Sequence, residues 1–542
     1  MSLRVAAAQD DFVVGDLEGN VARLIATYEA AEAAGCDLVA FPELAITGYP
    51  PEDLLLRPAF VAQAAEALDK FAARTARCVA VVGSPERDGG DLYNAAAVCA
   101  NGQVIGTFRK HRLPNEAVFD EERYFIAGSE LPVFEVAGYT VGVSVCEDAW
   151  SSDGPIAGLA ANGAQVVVNI NGSPYYAGRI DEREAVIADR ARESNVPIVY
   201  VNVVGGQDEL VFDGGSFAVN ADGAIAVRSP QFVEDLLVVE LEPDEGGRLV
   251  VQPGPIASRL GREHEVYEAL VLGTRDYVRK NGFQDVLIAI SGGVDSSIVA
   301  AIAVDALGPE HVVGVLLPSR YSSDHSITDA EALARGLGIR TYTVPIEPAH
   351  AAFEEMLAAV IPPGQAGVAA ENVQARIRGN VLMSISNAFN WIVLTTGNKS
   401  EMATGYATLY GDMAGGYAVI KDVLKTTLWD LCRDLNARRG RAVIPTAVIE
   451  KPPSAELRPD QYDTDSLPPY EVLDPIISGY VEHDLSVGEL IDQGHDPEIV
   501  RRVARLIDRN EYKRRQAAPG VRVTPKAFGK DRRLPITNRW PG

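Results

Sequence analysis

Residues 285–308, DVLIAISGGVDSSIVAAIAVDALG, constrain the fold more than any other part of the chain. A short apolar run passes through two glycines into a helical apolar pattern that ends at Gly308. Gly292 and Gly293 permit a tight turn, so the first N–H groups of the helix can face an anion. The segment therefore predicts a strand, a phosphate-binding loop and a helix, which is the repeating unit of a parallel α/β sheet.

The same loop carries a carboxylate, Asp295, and lacks the GK[ST] of a Walker loop. A carboxylate at this position would repel phosphate unless a cation lay between them, so Mg²⁺ is the predicted metal. The plain alternative is a βα turn with two glycines and no ligand. The intact Ser-Gly-Gly-x-Asp-Ser-Ser spacing favours the phosphate loop.

Apolar runs alternate with helical patterns along the rest of the chain, which predicts two α/β domains. Residues 242–258 are rich in Pro, Gly and charge and predict a linker. The predicted domains are residues 1–255 and 256–542. The predicted strands are LRVAAAQ, DLVAFPE, CVAVVGSPE, YNAAAVCA, YTVGVSVCE, AQVVVNIN, PIVYVNVV and GSFAVNA in the first domain, and DVLIAISGG, HVVGVLLPS, RTYTVPI and WIVLTTGN in the second.

Composition excludes several classes of protein. The 542 residues contain no apolar stretch long enough to span a membrane. The five cysteines are widely spaced without a CxxC, which predicts a reducing cytoplasm and argues against a disulfide scaffold. The net charge of −26 disfavours nucleic acid as a partner. Only residues 501–542 are strongly basic, which indicates either a local anionic ligand or a solvated helix face.

The stretch VSVCEDAW places Cys146 directly after an apolar run. Most buried cysteines only pack, so a nucleophile needs a base and a cation nearby. His111 is the only histidine before residue 256, and a Cys–His pair is therefore nearly excluded. Glu43 in FPELAITGYP and Lys110 in FRKHRLPN also follow predicted strands. If the three strand ends converge, Glu43 can take the thiol proton and Lys110 can stabilise a tetrahedral oxyanion.

These three segments together resemble the nitrilase superfamily over roughly residues 1–240. The resemblance implies an αββα sandwich, with Glu43 as general base, Lys110 as oxyanion stabiliser and Cys146 as nucleophile. FPELAITGYPPEDLL and VCEDAW are most similar to the glutamine-hydrolysing branch. That likeness implies glutamine contacts from Ser173 and Arg179.

One position departs from this branch. The branch usually reads LPNYGVFDE after the lysine, whereas this chain reads LPNEAVFDE. Glu116 therefore stands where a tyrosine lines the glutamine pocket. We expect Glu116 to face the glutamine pocket and to pair there with the substrate's ammonium or with a nearby cation, for which Arg179 is the candidate. The alternative is that Glu116 points to solvent and the departure is incidental.

The loop SGGVDSS resembles that of the ATP pyrophosphatases, which adenylate a carbonyl oxygen and release pyrophosphate. Four further segments, 371–387, 395–416, 453–470 and 505–540, resemble the NAD synthetases in order along residues 260–540. The implied fold of this domain is a doubly wound parallel sheet. The implied ATP contacts are Ser291, Gly292, Gly293, Val294, Asp295, Ser296, Ser297, Ile298, Thr396 and Lys425. The implied deamido-NAD contacts are Asn372, Glu401 and Lys513, with Asp412 a weaker candidate, and the implied Mg²⁺ ligands are Asp295 and Glu401.

Together the two halves resemble the glutamine-dependent NAD synthetases, in which an amidase supplies ammonia for amide synthesis. The expected substrates are glutamine, ATP and deamido-NAD, and the likeness also implies a homo-oligomer. Two alternatives stay open. One is a synthetase that uses free ammonia with a decayed or retargeted amidase. The other is a non-catalytic nucleotide-sensing scaffold, against which the intact Glu43, Lys110, Cys146 and SGGVDSS count.

Overall fold

A computed structural model describes residues 2–362 and 365–540. The chain divides into two compact units, residues 1–260 and 261–542. None of the helices within the described ranges has both the length and the apolar composition needed to cross a membrane.

The first unit contains two large sheets of mixed strands and a small sheet of two antiparallel strands, Val204–Gln207 and Leu210–Asp213. One large sheet has seven strands in the order β15-β14-β1-β2-β3-β4-β5, and the other has six in the order β13-β12-β9-β8-β7-β6. The strands are β1 (Leu3–Gln9), β2 (Leu38–Ala40), β3 (Val79–Asp88), β4 (Asp91–Ala100), β5 (Gln103–Arg109), β6 (Val133–Val136), β7 (Tyr139–Val145), β8 (Val166–Asn171), β9 (Ile198–Asn202), β10 (Val204–Gln207), β11 (Leu210–Asp213), β12 (Phe217–Val219), β13 (Ile225–Arg228), β14 (Asp235–Pro243) and β15 (Leu249–Val251).

Apolar side chains from both sheets form one core between them. Val5 and Val81 of the first sheet share this core with Val143 and Val168 of the second, and all four are buried. A second core covers the other face of the first sheet, where the first two helices pack. The helices are α1 (Leu17–Ala33), α2 (Pro58–Ala72), α3 (Ile156–Ala161) and α4 (Arg179–Ser194), and the last two contact the second sheet. The predicted αββα sandwich is confirmed.

The predicted linker at residues 242–258 is wrong over its first half. β14 runs to Pro243, the turn after it is closed by Asp244, and β15 then pairs antiparallel with β14 at the edge of the sheet. Gly246 and Gly247 lie in the hairpin turn, and Pro243 ends β14 beyond its last pair with β1, where its missing N–H breaks no bond to that strand. The units divide after Leu260.

The second unit is built on one parallel sheet of five strands in the order β18-β17-β16-β19-β20. The strands are β16 (Val286–Ala289), β17 (Val312–Leu316), β18 (Arg340–Thr343), β19 (Ile392–Thr395) and β20 (Tyr417–Ala418). The helices are α5 (Arg262–Lys280), α6 (Val294–Leu307), α7 (Asp324–Leu337), α8 (Glu347–Leu357), α9 (Val368–Phe389), α10 (Lys399–Thr404), α11 (Lys425–Arg439), α12 (Thr446–Glu450), α13 (Tyr470–Ile477), α14 (Val487–Asp492), α15 (Pro497–Arg509) and α16 (Glu511–Arg514).

Strand order reverses on either side of β16, which is the doubly wound arrangement predicted for this half. Helices α5, α6 and α11 contact one another, while α9 packs against β16 and β19. A separate apolar cluster joins α10 with α13 and α15. In such sheets, ligands bind beyond the carboxyl ends of strands where the order reverses, which here is the end of β16.

Candidate functional site

The first unit brings together the three predicted catalytic side chains. Glu43 follows β2, Lys110 follows β5 and Cys146 follows β7. Lys110 Nζ lies 2.7 Å from Glu43 Oε1, and both side chains are fully buried. The charges of Glu43 and Lys110 both act on the Cys146 thiol, which is 2 % exposed. The convergence of strand ends therefore occurs as predicted, whereas the catalytic roles stay predictions.

Backbone and amide groups fix the orientation of Glu43. Asn94 Nδ2 donates to Glu43 Oε1 at 2.7 Å, and the N–H of Gly172 donates to Oε2 at 2.9 Å. Gly83 allows the chain around Glu43 to approach closely, because a Cβ there would lie 2.2 Å from the nitrogen of Leu44. The carboxylate is thus held in one position while one oxygen carries two hydrogen bonds.

Glu121 is a second buried carboxylate at this site, and sequence reasoning missed it. Its oxygens lie 2.8 and 2.9 Å from Lys110 Nζ. Burial raises the pKa of Glu121 to about 7, although the Lys110 ammonium opposes the rise. Burial disfavours the ammonium of Lys110, but Glu121 and Glu43 outweigh it and hold the pKa of Lys110 well above its usual value. In the sequence, Glu121 lies in a run of three acidic residues, 120–122, and such a run is typical of a solvent-exposed surface.

The Cys146 thiol needs a base at neutral pH. Burial raises its pKa well above the usual value, the Glu43 charge adds to the rise, and Lys110 opposes it. A protonated thiol beside a fixed carboxylate suits general-base activation during attack, followed by stabilisation of the oxyanion by a cation.

The residues predicted to bind glutamine lie on two segments. Ser173 is buried, and its Oγ has no hydrogen-bond partner of normal geometry among the described residues. Arg179 begins α4, and its guanidinium carbon lies 3.7 Å from the ring centre of Trp150, while Nη1 pairs with Glu182 at 2.8 Å. An unsatisfied buried hydroxyl and a cation held over an aromatic ring are suited to a polar ligand.

Glu116 is exposed on the segment after β5. Its charge nevertheless acts on Glu147, which is next to Cys146 in the chain. Burial raises the pKa of Glu147; Lys110 and Arg179 oppose the rise, and Glu116 adds to it. The predicted contact between Glu116 and the glutamine ammonium stays a prediction.

In the second unit, the predicted phosphate loop follows β16 and leads into α6. Gly292 has φ +79°, and a Cβ there would lie 2.1 Å from the carbonyl oxygen of Ser326. The N–H of Gly293 donates to Ser291 Oγ at 3.2 Å. Only glycine fits the first position of this turn, as the sequence predicts.

A cavity of about 300 Å³ opens over this loop. Its walls include most of the predicted ATP residues: Ser291, Gly293, Val294, Asp295, Ser296, Thr396 and Lys425, together with Glu401 and Asp412. Ser297 and Ile298 are buried in α6. Among the described residues, the walls do not include Asn372 or Lys513. Asn372 accepts from Thr408 Oγ1 at 2.8 Å, and Lys513 Nζ donates to the carbonyl of Gly405 at the end of α10.

Three ionisable side chains meet at one end of the cavity. Asp295 pairs with Lys425 through a short contact and accepts from Asn398 Nδ2 at 2.7 Å. Burial and the Asp295 charge hold the pKa of Glu401 well above its usual value. Asp463, which sequence reasoning did not single out, lies on the same wall.

These carboxylates fit Mg²⁺ as part of a shared coordination shell. No group of three or more His, Cys, Asp or Glu side chains in residues 2–362 and 365–540 is arranged to hold a metal by itself. Mg²⁺ is commonly held by one or two carboxylates, with substrate phosphates and water completing the octahedron. Asp295 and Glu401 offer that number, and a cation between them would offset the repulsion that raises the pKa of Glu401.

Family models match the two units separately. The carbon–nitrogen hydrolase family matches residues 4–249, and the NAD synthase family matches residues 266–517. The first unit is thus of the carbon–nitrogen hydrolase class, and the second is of the NAD synthase class.

Similar proteins match the whole chain. The glutamine-dependent NAD(+) synthetase of Thermotoga maritima is 46% identical over 570 residues, and that of Xylella fastidiosa strain Temecula1 is 48% identical over 547 residues. These matches cover 99% and 100% of this chain, respectively, and 99% of each relative. The structure of the enzyme from Acinetobacter baumannii, in complex with ADP, is similar with a TM-score of 0.81 at 42% identity, covering 99% of both chains. The chain belongs to the family of glutamine-dependent NAD(+) synthetases, and is a ligase that forms a carbon–nitrogen bond.

Proposed function

We propose that this chain amidates deamido-NAD to NAD, with ATP as co-substrate and with ammonia released from glutamine at Cys146. The observation that carries the proposal is the buried Glu43–Lys110 pair beside Cys146, in a chain that also holds the phosphate loop. The names of the relatives and the ADP bound to the Acinetobacter baumannii protein support the same substrates.

The first unit performs the hydrolysis. Glu43 removes the proton from Cys146 Sγ as the sulfur attacks the amide carbon, and Lys110 stabilises the oxyanion. The amide nitrogen then takes the proton from Glu43 and leaves as ammonia, with a thioester on the sulfur. Water, activated by Glu43, breaks the thioester to give glutamate and the free thiol.

The second unit performs the synthesis. The carboxylate of deamido-NAD attacks the α-phosphorus of ATP, and pyrophosphate leaves. Ammonia attacks the adenylated carbonyl, and AMP leaves with the former carboxylate oxygen. Lys425 and the N–H groups at the start of α6 neutralise phosphate charge. Asp295 and Glu401 would hold Mg²⁺, which supplies further charge neutralisation when bound.

A cytoplasmic location is also part of the proposal. The five cysteines are all free and buried, which fits the reducing cytoplasm that the sequence predicts.

A homo-oligomer is proposed as well. It is supported by exposed apolar side chains on α8, on α9 and between them, which form a face that a second copy could bury. Phe353, Met356, Val360, Val368 and Phe389 are the largest of these.

The test compares two nitrogen donors. We expect Cys146→Ala to abolish NAD formation with glutamine and to leave NAD formation with ammonium near that of the unchanged chain. Cys99→Ala, which alters a buried core cysteine of the same unit, is the matched control and should keep both activities. Omission of Mg²⁺ should stop both.

Each outcome separates the candidates. Synthesis with ammonium but not with glutamine by the unchanged chain would favour a decayed amidase. Absence of both would favour the nucleotide-sensing scaffold. Glutamine-driven synthesis by the Cys146→Ala chain would exclude Cys146 as the nucleophile.

A further inference from the structure

Residues 451–457, KPPSAEL, form a wall of the nucleotide cavity, and we call them the covering segment. The segment follows α12, and all seven of its residues line the cavity. The phosphate loop, from Ser291 to Ser296, contributes another part of the same wall. A group on the covering segment can therefore meet a ligand that the phosphate loop holds.

Glu456 attaches the covering segment to the first turn of α7. Its Oε1 accepts from Ser323 Oγ at 3.0 Å and from Ser326 Oγ at 2.6 Å. Its Oε2 accepts from the N–H of Ser323 at 3.3 Å. Burial would raise the pKa of Glu456, but the Ser326 hydrogen bond and the Lys451 charge outweigh it and lower the pKa. The carboxylate is thus ionised and held by several donors.

Lys451 is placed beside the phosphate loop by the same group of residues. Its Nζ makes a short contact with Ser326 Oγ and lies 3.2 Å from Glu456 Oε1. The carbonyl of Ser326 is the atom against which Gly292 packs. One residue, Ser326, therefore touches both the phosphate-loop turn and the Lys451 ammonium.

The cavity wall carries more acidic than basic side chains, so the Lys451 ammonium is one of few cations that could bind a phosphate there. The acidic residues on the wall are Asp295, Glu401, Asp412, Glu456 and Asp463, and the basic ones are Arg378, Lys425 and Lys451. Lys425 is paired with Asp295, and Arg378 Nε donates to the carbonyl of Leu317 at 3.1 Å. An excess of carboxylates repels a polyphosphate, so each cation that reaches it has a large effect. An ammonium has three donors, and Ser326 and Glu456 use two of those of Lys451.

We propose that Lys451 is a phosphate-binding residue that contacts a phosphoryl group of ATP on the loop Ser291–Ser296, and that Glu456 is the positioning residue that holds it there. This rests on the proposed use of ATP and adds a cation that the phosphate-loop motif does not contain. Because Lys451 belongs to the covering segment, the contact forms only when that segment lies against α7.

The experiment measures equilibrium binding of three probes to the full chain: Mg²⁺ with ATP, inorganic pyrophosphate, and adenosine. For Lys451→Met, we expect the dissociation constants for ATP and pyrophosphate to rise by about tenfold or more, as for the loss of one charge-assisted hydrogen bond. The affinity for adenosine should not change, which also reports that the cavity is folded. Lys451→Arg should restore most of the ATP affinity, and Glu456→Gln should weaken ATP binding to a smaller degree.

Lys526→Met is the matched control. Lys526 is also an ion-paired lysine of the second unit, bound to Asp484, and its side chain is 24% exposed against 30% for Lys451. Unchanged ATP and pyrophosphate affinity in Lys451→Met, or an equal loss for adenosine, would overturn the proposal. Ammonium-driven NAD formation by the unchanged chain is measured in parallel. Its absence would count against the proposed reaction and would leave the binding result standing.

Discussion

The charge balance of the hydrolase site depends on Glu121. One buried ammonium, on Lys110, faces two buried carboxylates, so one negative charge is left without a cation. Burial raises the pKa of Glu121 to about 7, the Lys110 ammonium opposes the rise, and the Glu43 charge adds to it, so protonation removes the surplus charge. Folding therefore favours the protonated form of Glu121.

The pH dependence of stability follows from this shift. The ordinary pKa of a glutamate, 4.5, describes the unfolded chain, and the folded value is about 7. Between those values the folded state binds more protons, so the Glu121 contribution is present below 4.5 and is lost as pH rises towards 7. Glu121→Gln should flatten the fall of the melting temperature over that interval. Glu122→Gln, which changes the exposed carboxylate next to Glu121 in the chain, should reproduce the unchanged curve. Parallel curves for all three chains would contradict the assignment.

The end of β7 is tied to the end of β5 by Asp148. Its Oδ1 accepts from the N–H groups of His111 and Arg112 at 3.0 and 2.8 Å, and its Oδ2 accepts from that of Val145 at 3.0 Å. These bonds join the segment that carries Lys110 to the strand that presents Cys146. Asp148 is fully buried, so these three hydrogen bonds are shielded from bulk water.

Asp148→Ala should therefore disturb both stability and hydrolysis. Each buried N–H left without an acceptor costs about 1–3 kcal/mol, so three should cost the first unit several kcal/mol. Glutamine-driven NAD formation should fall by more than about tenfold because a small misplacement of a nucleophile is costly. Ammonium-driven formation should be spared. Thermal unfolding and initial rates with each donor measure both effects. Asp153→Ala, which changes an exposed aspartate nearby, is the control. If Asp148→Ala has no more effect on stability or rate than Asp153→Ala, Asp148 does not hold the ends of β5 and β7 together.

Sequence patterns predicted the elements and missed the contacts between distant ones. β1 and α6 occur where the apolar runs predict them, because strand ends and helix ends are set by local residues. The Glu43–Lys110–Cys146 group was found because each residue follows a strand. Glu121, Asp148 and Glu456 were missed because their roles depend on partners far along the chain. An acidic side chain has the same local pattern whether it is solvated or buried.

The exposed apolar face of α8 and α9 predicts that copies of the chain associate through it. Met356 and Val360 are 71% and 79% exposed, which is unusual for such side chains in a monomer. If this face is buried between copies, Met356→Glu with Val360→Glu should lower the mass measured by analytical ultracentrifugation. Leu56→Glu, at an apolar residue of the first unit that is 54% exposed, should leave the mass unchanged. A monomeric unchanged chain, or an unchanged mass for the double variant, would contradict the proposed oligomer.

Cys146 has φ +44°, a left-handed backbone conformation that is strained for residues with a side chain but not for glycine. If Cys146 is the proposed nucleophile, glycine at this position would relieve the backbone but remove the reactive sulfur, so thermostability and turnover would favour different residues here. For protein engineering the practical meaning is that gains in heat resistance should be sought away from this turn, in loops that take no part in the chemistry.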